Sequence, residues 1–186
     1  MEIVFAGFGG QGVLTTGLIV AYIAMKDGQE VLWSPAYGAE MRGGKAYSLV
    51  KFSGEPIEEP VITELDALVA MNQPALDFCA QLKPGGLLLV NSDAVDDTVP
   101  VPTGFRTVRL PVNTLAQQAG APKGANIVSV GALTALLGLF DPEEAEATLC
   151  EFFENKGKGK FNDSNRAAFR AGLAFAAGLG QAAEKG

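Results

Sequence analysis

The 186-residue sequence contains no histidine and only two cysteines, Cys79 and Cys150. Without histidine it lacks the commonest general base and the commonest nitrogen ligand for metals, and every Ser-His or Cys-His pairing is excluded. Two cysteines far apart in the chain, neither in a C-x-x-C pair, cannot by themselves hold an iron–sulfur cluster or a structural zinc ion. Both are expected as core thiols in a reducing, cytoplasmic setting. Basic residues are outnumbered: 14 Lys and Arg stand against 21 Asp and Glu, which gives a net charge of −7 and a pI near 4.6. Such a chain repels phosphate backbones, so nucleic acid is not an expected partner. No apolar run reaches the ~18 residues of a membrane span, so no membrane is expected either. The opening enters a strand pattern with no basic stretch ahead of an apolar one, unlike a secretory leader. Any catalysis to which this chain contributes is therefore expected to lie mostly on other chains.

What is present is apolar residues, 48% of the total, which suffice for a substantial core. Residues 2–6, EIVFA, read as a buried strand; residues 13–26, VLTTGLIVAYIAMK, read as a buried helix stopped by Asp27-Gly28. EVLWS, 30–34, reads as a second strand, so a β-turn-α-β unit and a parallel sheet are expected. KAYSLVKFS (45–53), ALVAM (67–71), LLLVN (87–91) and FRTVRL (105–110) read as further strands, the last at an edge. Asn72-Gln73-Pro74 opens a helix that Lys83-Pro84-Gly85-Gly86 closes. Beyond residue 110 the pattern turns helical. Asn126 is a candidate N-cap for an uncharged helix over 127–140, and Asp141-Pro142-Glu143-Glu144 starts another. Asn162 or Asp163 caps a final helix to about residue 182, in which Phe169 and Phe175 read as core aromatics. The expected fold is α/β: a Rossmann-like, mostly parallel sheet flanked by helices, with a helical C-terminal part. With no internal repeat or clear boundary, a single domain over 1–186 is expected.

The turn between the first strand and helix reads Gly7-x-Gly9-x-x-Gly12, with Gly10 and Gln11 inside it. Glycines let the backbone turn sharply and approach a ligand, and the helix that follows presents free N–H groups and partial positive charge, which suits an anion. A nicotinamide dinucleotide site also places an acidic residue at the end of the second strand. Here that strand ends in Leu32-Trp33-Ser34-Pro35. The loop's readings thus stay open: a dinucleotide, another anion, a partner chain, or only close helix–sheet packing. A stand-alone nucleotide-binding module or an NAD(P)-dependent dehydrogenase remains the alternative class.

The second unusual stretch is Tyr37-Gly38-Ala39-Glu40-Met41-Arg42-Gly43-Gly44. Its tyrosine, methionine and arginine are residue types enriched at interface cores, and Arg42 suits bidentate capture of phosphate or carboxylate. An ordinary solvated loop with an Arg42–Glu40 pair is the plain alternative.

GFGGQG followed by YGAEMRGG resembles the gamma subunit of the 2-oxoacid:ferredoxin oxidoreductases. Two later stretches fit in the same order: KGANIVSVGAL from Lys123 to Leu133, and KFNDSNRAAFRAG from Lys160 to Gly172. The resemblance implies membership of a multi-subunit enzyme that oxidatively decarboxylates a 2-oxoacid to acyl-CoA and reduces ferredoxin. It also implies that thiamine diphosphate, magnesium and the iron–sulfur clusters reside on the alpha, beta and delta partners, not on this chain. The loop motif is most similar to the 2-oxoglutarate type, then the branched-chain type, then pyruvate. On this footing the isolated chain is expected to be inactive and able to self-associate. Gly7, Gly9, Gly10, Gln11, Gly12 and Arg42 are the expected contacts to an anion, coenzyme A or a partner. Lys123 and Asn126 are candidates to support the same edge, or a plain surface lysine and helix cap.

Overall fold

The computed structural model describes residues 1–37, 44–57 and 64–183. The chain forms two compact units, Met1–Pro111 and Val112–Gly186.

The first unit is a six-stranded sheet built from β1 (Glu2–Phe8), β2 (Glu30–Tyr37), β3 (Lys45–Ser53), β4 (Leu65–Ala70), β5 (Leu82–Asn91) and β6 (Arg106–Leu110), in the order β2-β3-β1-β4-β5-β6. The pairs β1–β4, β4–β5 and β5–β6 are parallel, whereas β3 is antiparallel to both β1 and β2. The sheet is therefore mixed, and its α/β character matches the expectation. Helix α1 (Val13–Lys26) links β1 to β2, which run in the same direction but are not neighbours, because β3 lies between them. Composition explains the insertion. Pro35 removes a ladder donor and suits an edge strand, while β3 is buried along most of its length and suits the interior.

Helix α1 seats closely on β3. Ser48 Oγ donates to the Val13 carbonyl at 3.0 Å, and a Cβ at Gly17 would lie only 2.1 Å from that same Oγ. The helix ends as expected, with Asp27 as C-cap and Gly28 at φ +81°. Over residues 73–81 the chain forms a 3₁₀ helix, not an α-helix, with Pro74 in its first turn and the Asn72 side chain accepting from Ala75 N–H. At the far end of the sheet Asp66 gathers the Lys83 ammonium, the Met1 ammonium at 3.8 Å and the Glu2 amide at 2.6 Å.

The second unit packs α2 (Val112–Gln118), α3 (Ala125–Leu137), α4 (Pro142–Asn155) and α5 (Asn162–Ala183). Helix α3 is uncharged and buried around most of its circumference. It crosses α5 at backbone contact, since a Cβ at Gly131 would lie 1.9 Å from Phe169 O and one at Gly172 would lie 2.0 Å from Val128 O. Helix α4 starts as expected, with Asp141 accepting from the Glu143 and Glu144 amides and Pro142 at its first position. Two cap expectations change. Helix α3 opens on Gly124 with no side-chain cap, so Asn126 is its second residue. Asn162 is the first residue of α5, and its Nδ2 donates to Cys150 O at 3.3 Å and Glu154 Oε1 at 2.8 Å. Phe169 is fully buried and Phe175 half-buried. Among the described residues no helix is long and apolar enough to cross a membrane.

Candidate functional site

The C-terminal ends of the parallel strands β1, β4 and β5 meet at one edge of the first unit, where an open α/β sheet typically carries its ligand crevice. The glycine loop leaves β1 there. Phe8 to Gln11 form a tight turn closed by Gln11 N–H donating to Phe8 O at 3.1 Å. Gly10, third in that turn, has φ +99°, a conformation that favours glycine. Gly12 follows at φ +77° and is the N-cap of α1. It supplies no side chain to the orphan amides of the first turn, and that turn contains no acidic residue. Thr16 Oγ1 instead donates back to Gly12 O at 2.9 Å. Among the described residues, the N-cap gives the positive end of the helix no side-chain capping bond.

The five loop residues divide by environment. Gly7 is buried and has no room for a side chain, as a Cβ there would lie 2.6 Å from Gln11 Oε1 and 3.0 Å from Met71 Cβ. Gly9 and Gly10 are exposed, and a Cβ on either meets nothing within 4 Å among the described residues. Gln11 turns inward: Oε1 accepts from Phe8 N–H at 2.7 Å and from Asn72 Nδ2 at 3.2 Å, and Nε2 donates to Met71 O at 3.0 Å. Asn91, at the end of β5, donates to the same Met71 carbonyl at 3.3 Å. Asn72 and Asn91 are site residues that sequence reasoning missed. The available signal was an amide side chain directly after each buried apolar run, ALVAM and LLLV.

Arg42 lies outside the described residues, as do Glu40 and Met41. The residues flanking that segment are placed: Gly9 N–H donates to Gly44 O at 3.2 Å, and Tyr37 pairs with Ala46 in the β2–β3 ladder. The glycine loop and the two placed flanks of the second motif thus meet at one end of the sheet. A cleft of about 420 Å³ opens beside Gly7, floored by Ala6, Ala36 and Tyr47 and walled by the 3₁₀ helix through Pro74, Ala75 and Phe78. At its rim the Lys45 and Asp77 side chains pair at 2.9 Å while both are about two-thirds exposed. A pair so screened contributes only ~0–1 kcal/mol and yields readily to a competing anion. Lys123 is exposed, and Asn126 is half-buried in the first turn of α3, in the second unit.

On the β3 side of β1 at this edge, Lys45 stands opposite Phe8. A nicotinamide site needs a carboxylate at the end of the adjoining parallel strand for the ribose hydroxyls; here that strand is β4, which ends at Ala70 and runs into Met71 and Asn72. The cysteine set does not fit a cluster. Cys79 and Cys150 are buried in different units, and burial above all pushes both thiols up, against the thiolate form that metals require.

The sequence matches the pyruvate ferredoxin/flavodoxin oxidoreductase family over residues 2–175. It is 35% identical to the ketoisovalerate oxidoreductase subunit VorA of Methanothermobacter marburgensis over 95% of this chain, yet it spans only 36% of that protein's length. It is 35% identical to the 2-oxoglutarate synthase subunit KorC of Methanocaldococcus jannaschii, covering 81% of this chain and 82% of that one. Among solved structures, the gamma subunit of a keto/oxoacid ferredoxin oxidoreductase from Geobacter sulfurreducens superposes with a TM-score of 0.81 at 36% identity, over 95% of this chain and 96% of that one.

Proposed function

We propose, from the premise that this chain belongs to the pyruvate ferredoxin/flavodoxin oxidoreductase family, that it is the gamma-type subunit of a multi-subunit, cytoplasmic 2-oxoacid:ferredoxin oxidoreductase. In this reading its two units act as one gamma-type domain over residues 1–186. The complex decarboxylates a 2-oxoacid oxidatively to acyl-CoA and reduces ferredoxin. 2-Oxoglutarate is the favoured acid, then a branched-chain ketoacid or pyruvate. Similarity to both VorA and KorC supports the class and leaves that order to the loop motif. Thiamine diphosphate, magnesium and the iron–sulfur clusters are assigned to the alpha, beta and delta partners.

This chain's own contribution is an anion site for coenzyme A. The observation that carries it is the start of α1, given no side-chain capping bond by its N-cap, behind two exposed glycines at the C-terminal ends of parallel strands. A phosphate there would complete the orphan amides and meet the positive end of the helix dipole. Gly9 and Gly10 admit the approach, Gly12 opens the helix, and Arg42 supplies a planar cationic fork to the same ligand. When bound, coenzyme A provides the thiol that accepts the acyl group; this chain's residues bind and orient it.

The test uses the assembled enzyme. Gly9→Leu needs no unusual backbone angle and meets nothing within 4 Å among the described residues, so it should block the approach without unfolding the chain. The apparent KM for coenzyme A should rise by about tenfold, the equivalent of ~1.4 kcal/mol. Arg42→Ala should act in the same direction, and Arg42→Lys should recover little. Loss of co-purifying partner subunits with an unchanged KM would assign the loop to a subunit contact instead.

A further inference from the structure

The side chain of Gln11 joins two segments that are distant in sequence. Its Oε1 holds the Phe8 amide within the glycine loop at 2.7 Å, and its Nε2 reaches the Met71 carbonyl at the end of β4 at 3.0 Å. Backbone polarity fixes this orientation, because Phe8 N–H can only donate and Met71 O can only accept. Asn72 is oriented in the same way. Its Oδ1 takes the Ala75 amide at 3.1 Å, so its Nδ2 faces Gln11 Oε1 at 3.2 Å. Asn91 completes the set, with Oδ1 on the Asp93 amide at 3.1 Å and Nδ2 on Met71 O. The first glycine of the motif has its reason here, since any side chain at Gly7 would collide with the Gln11 carboxamide.

We propose that Gln11 is a positioning residue rather than a ligand contact: its carboxamide latches the glycine loop to the end of β4 and so holds Gly9, Gly10 and the first amides of α1 in their outward presentation. The proposal rests on the reading of that loop as the coenzyme A site. Through Asn72, which caps the 3₁₀ helix, the latch also ties the loop to the wall of the neighbouring cleft. The latch requires an acceptor and a donor on one planar group. A glutamine provides both at every pH; a carboxylate provides only acceptors and would turn an oxygen toward the Met71 carbonyl. Gln11→Glu therefore works only when protonated. Its latch is closed while the carboxyl keeps its proton and opens when it ionises; the Met71 carbonyl disfavours the charged form, whereas the Phe8 amide, the Asn72 carboxamide and the positive end of α1 favour it.

The experiment compares wild type, Gln11→Ala and Gln11→Glu in the assembled enzyme, with coenzyme A as the probe between pH 5.5 and 8. Amide hydrogen exchange at Phe8 is followed in the same complexes. Gln11→Ala should raise the KM for coenzyme A by about tenfold at every pH, while kcat changes far less, and Phe8 exchange should accelerate. Gln11→Glu keeps the shape of the side chain but, when ionised, loses the donor to Met71 O; at pH 8 its KM should stand about tenfold above wild type, with Phe8 exchange accelerated. A role in packing alone would leave this isosteric variant near wild type. If Gln11→Ala does not fold, Gln11→Glu at pH 8 decides by itself, and a wild-type KM there overturns the latch. If Gly9→Leu raises the KM while both Gln11 variants match wild type, the latch is wrong and the site stands. If Gly9→Leu also leaves the KM unchanged, the site reading fails and the latch falls with it.

Discussion

Alanine in place of Gly172 would bring a methyl group to 2.0 Å from the Val128 carbonyl oxygen and 2.9 Å from the Ala132 nitrogen. These are backbone atoms of α3, and no rotamer change removes them. Restoring even a 3.0 Å approach requires α3 and α5 to separate by about 1 Å, a gap that forfeits roughly a quarter to a half of the dispersion well at each affected contact. Overpacking of this kind costs about 1–3 kcal/mol, and immobile obstructing atoms place it at the upper end. Alanine returns about 1 kcal/mol in helix propensity. A net loss of about 2 kcal/mol follows, which lowers Tm by roughly 4–8 °C for a chain of this size. Gly178 supplies the control. It lies in the same helix, and a Cβ there meets nothing within 4 Å among the described residues. Gly178→Ala should therefore gain about 0.5–1 kcal/mol. The two variants, measured by thermal and urea unfolding, should move in opposite directions. A Gly172→Ala chain as stable as Gly178→Ala would refute the close crossing of the two helices.

Further outcomes follow from the first unit. Gly12→Ala should destabilise the chain because Gly12 sits at φ +77°, whereas Gly9→Ala should leave the urea midpoint nearly unchanged; reversal of that order would misplace the turn. For Asp66, burial raises the carboxyl pKa, but the Lys83 hydrogen bond, the Glu2 amide and the neighbouring positive charges outweigh it and hold the group below its ordinary value of 3.8. A depressed folded pKa stabilises above the unfolded value and loses that contribution as pH falls through the folded one. The Tm advantage of wild type over Asp66→Asn should thus be full above about pH 5 and shrink on acidification; a constant gap from pH 6 to 2 would show the ion pairs to be unimportant. The purified chain alone, given 2-oxoglutarate, thiamine diphosphate and coenzyme A, should not reduce a viologen dye; robust turnover would overturn the assignment to a subunit.

The local features of this protein were legible in its sequence because short-range physics decides them. The bounds of α1, its stop at Asp27-Gly28, the Asp141-Pro142 start of α4 and the strand read at 105–110 and found at Arg106–Leu110 all follow from side-chain period and from hydrogen bonds spanning a few residues. The glycine loop was visible for the same reason, since its positive φ values belong to individual residues. Tertiary structure alone decided the remainder. That β3 slides between β1 and β2 depends on which strand can be buried on both faces, a competition among segments rather than a property of one. Gln11 and Met71 are 60 residues apart, yet they bond because β1 and β4 are parallel neighbours. Gly131 and Gly172 carry no side-chain signal of their own in the sequence; the crossing of α3 and α5 makes them the positions where the backbones touch. A partner's identity at such sites comes from the packing of distant segments, and local propensity carries no information about it.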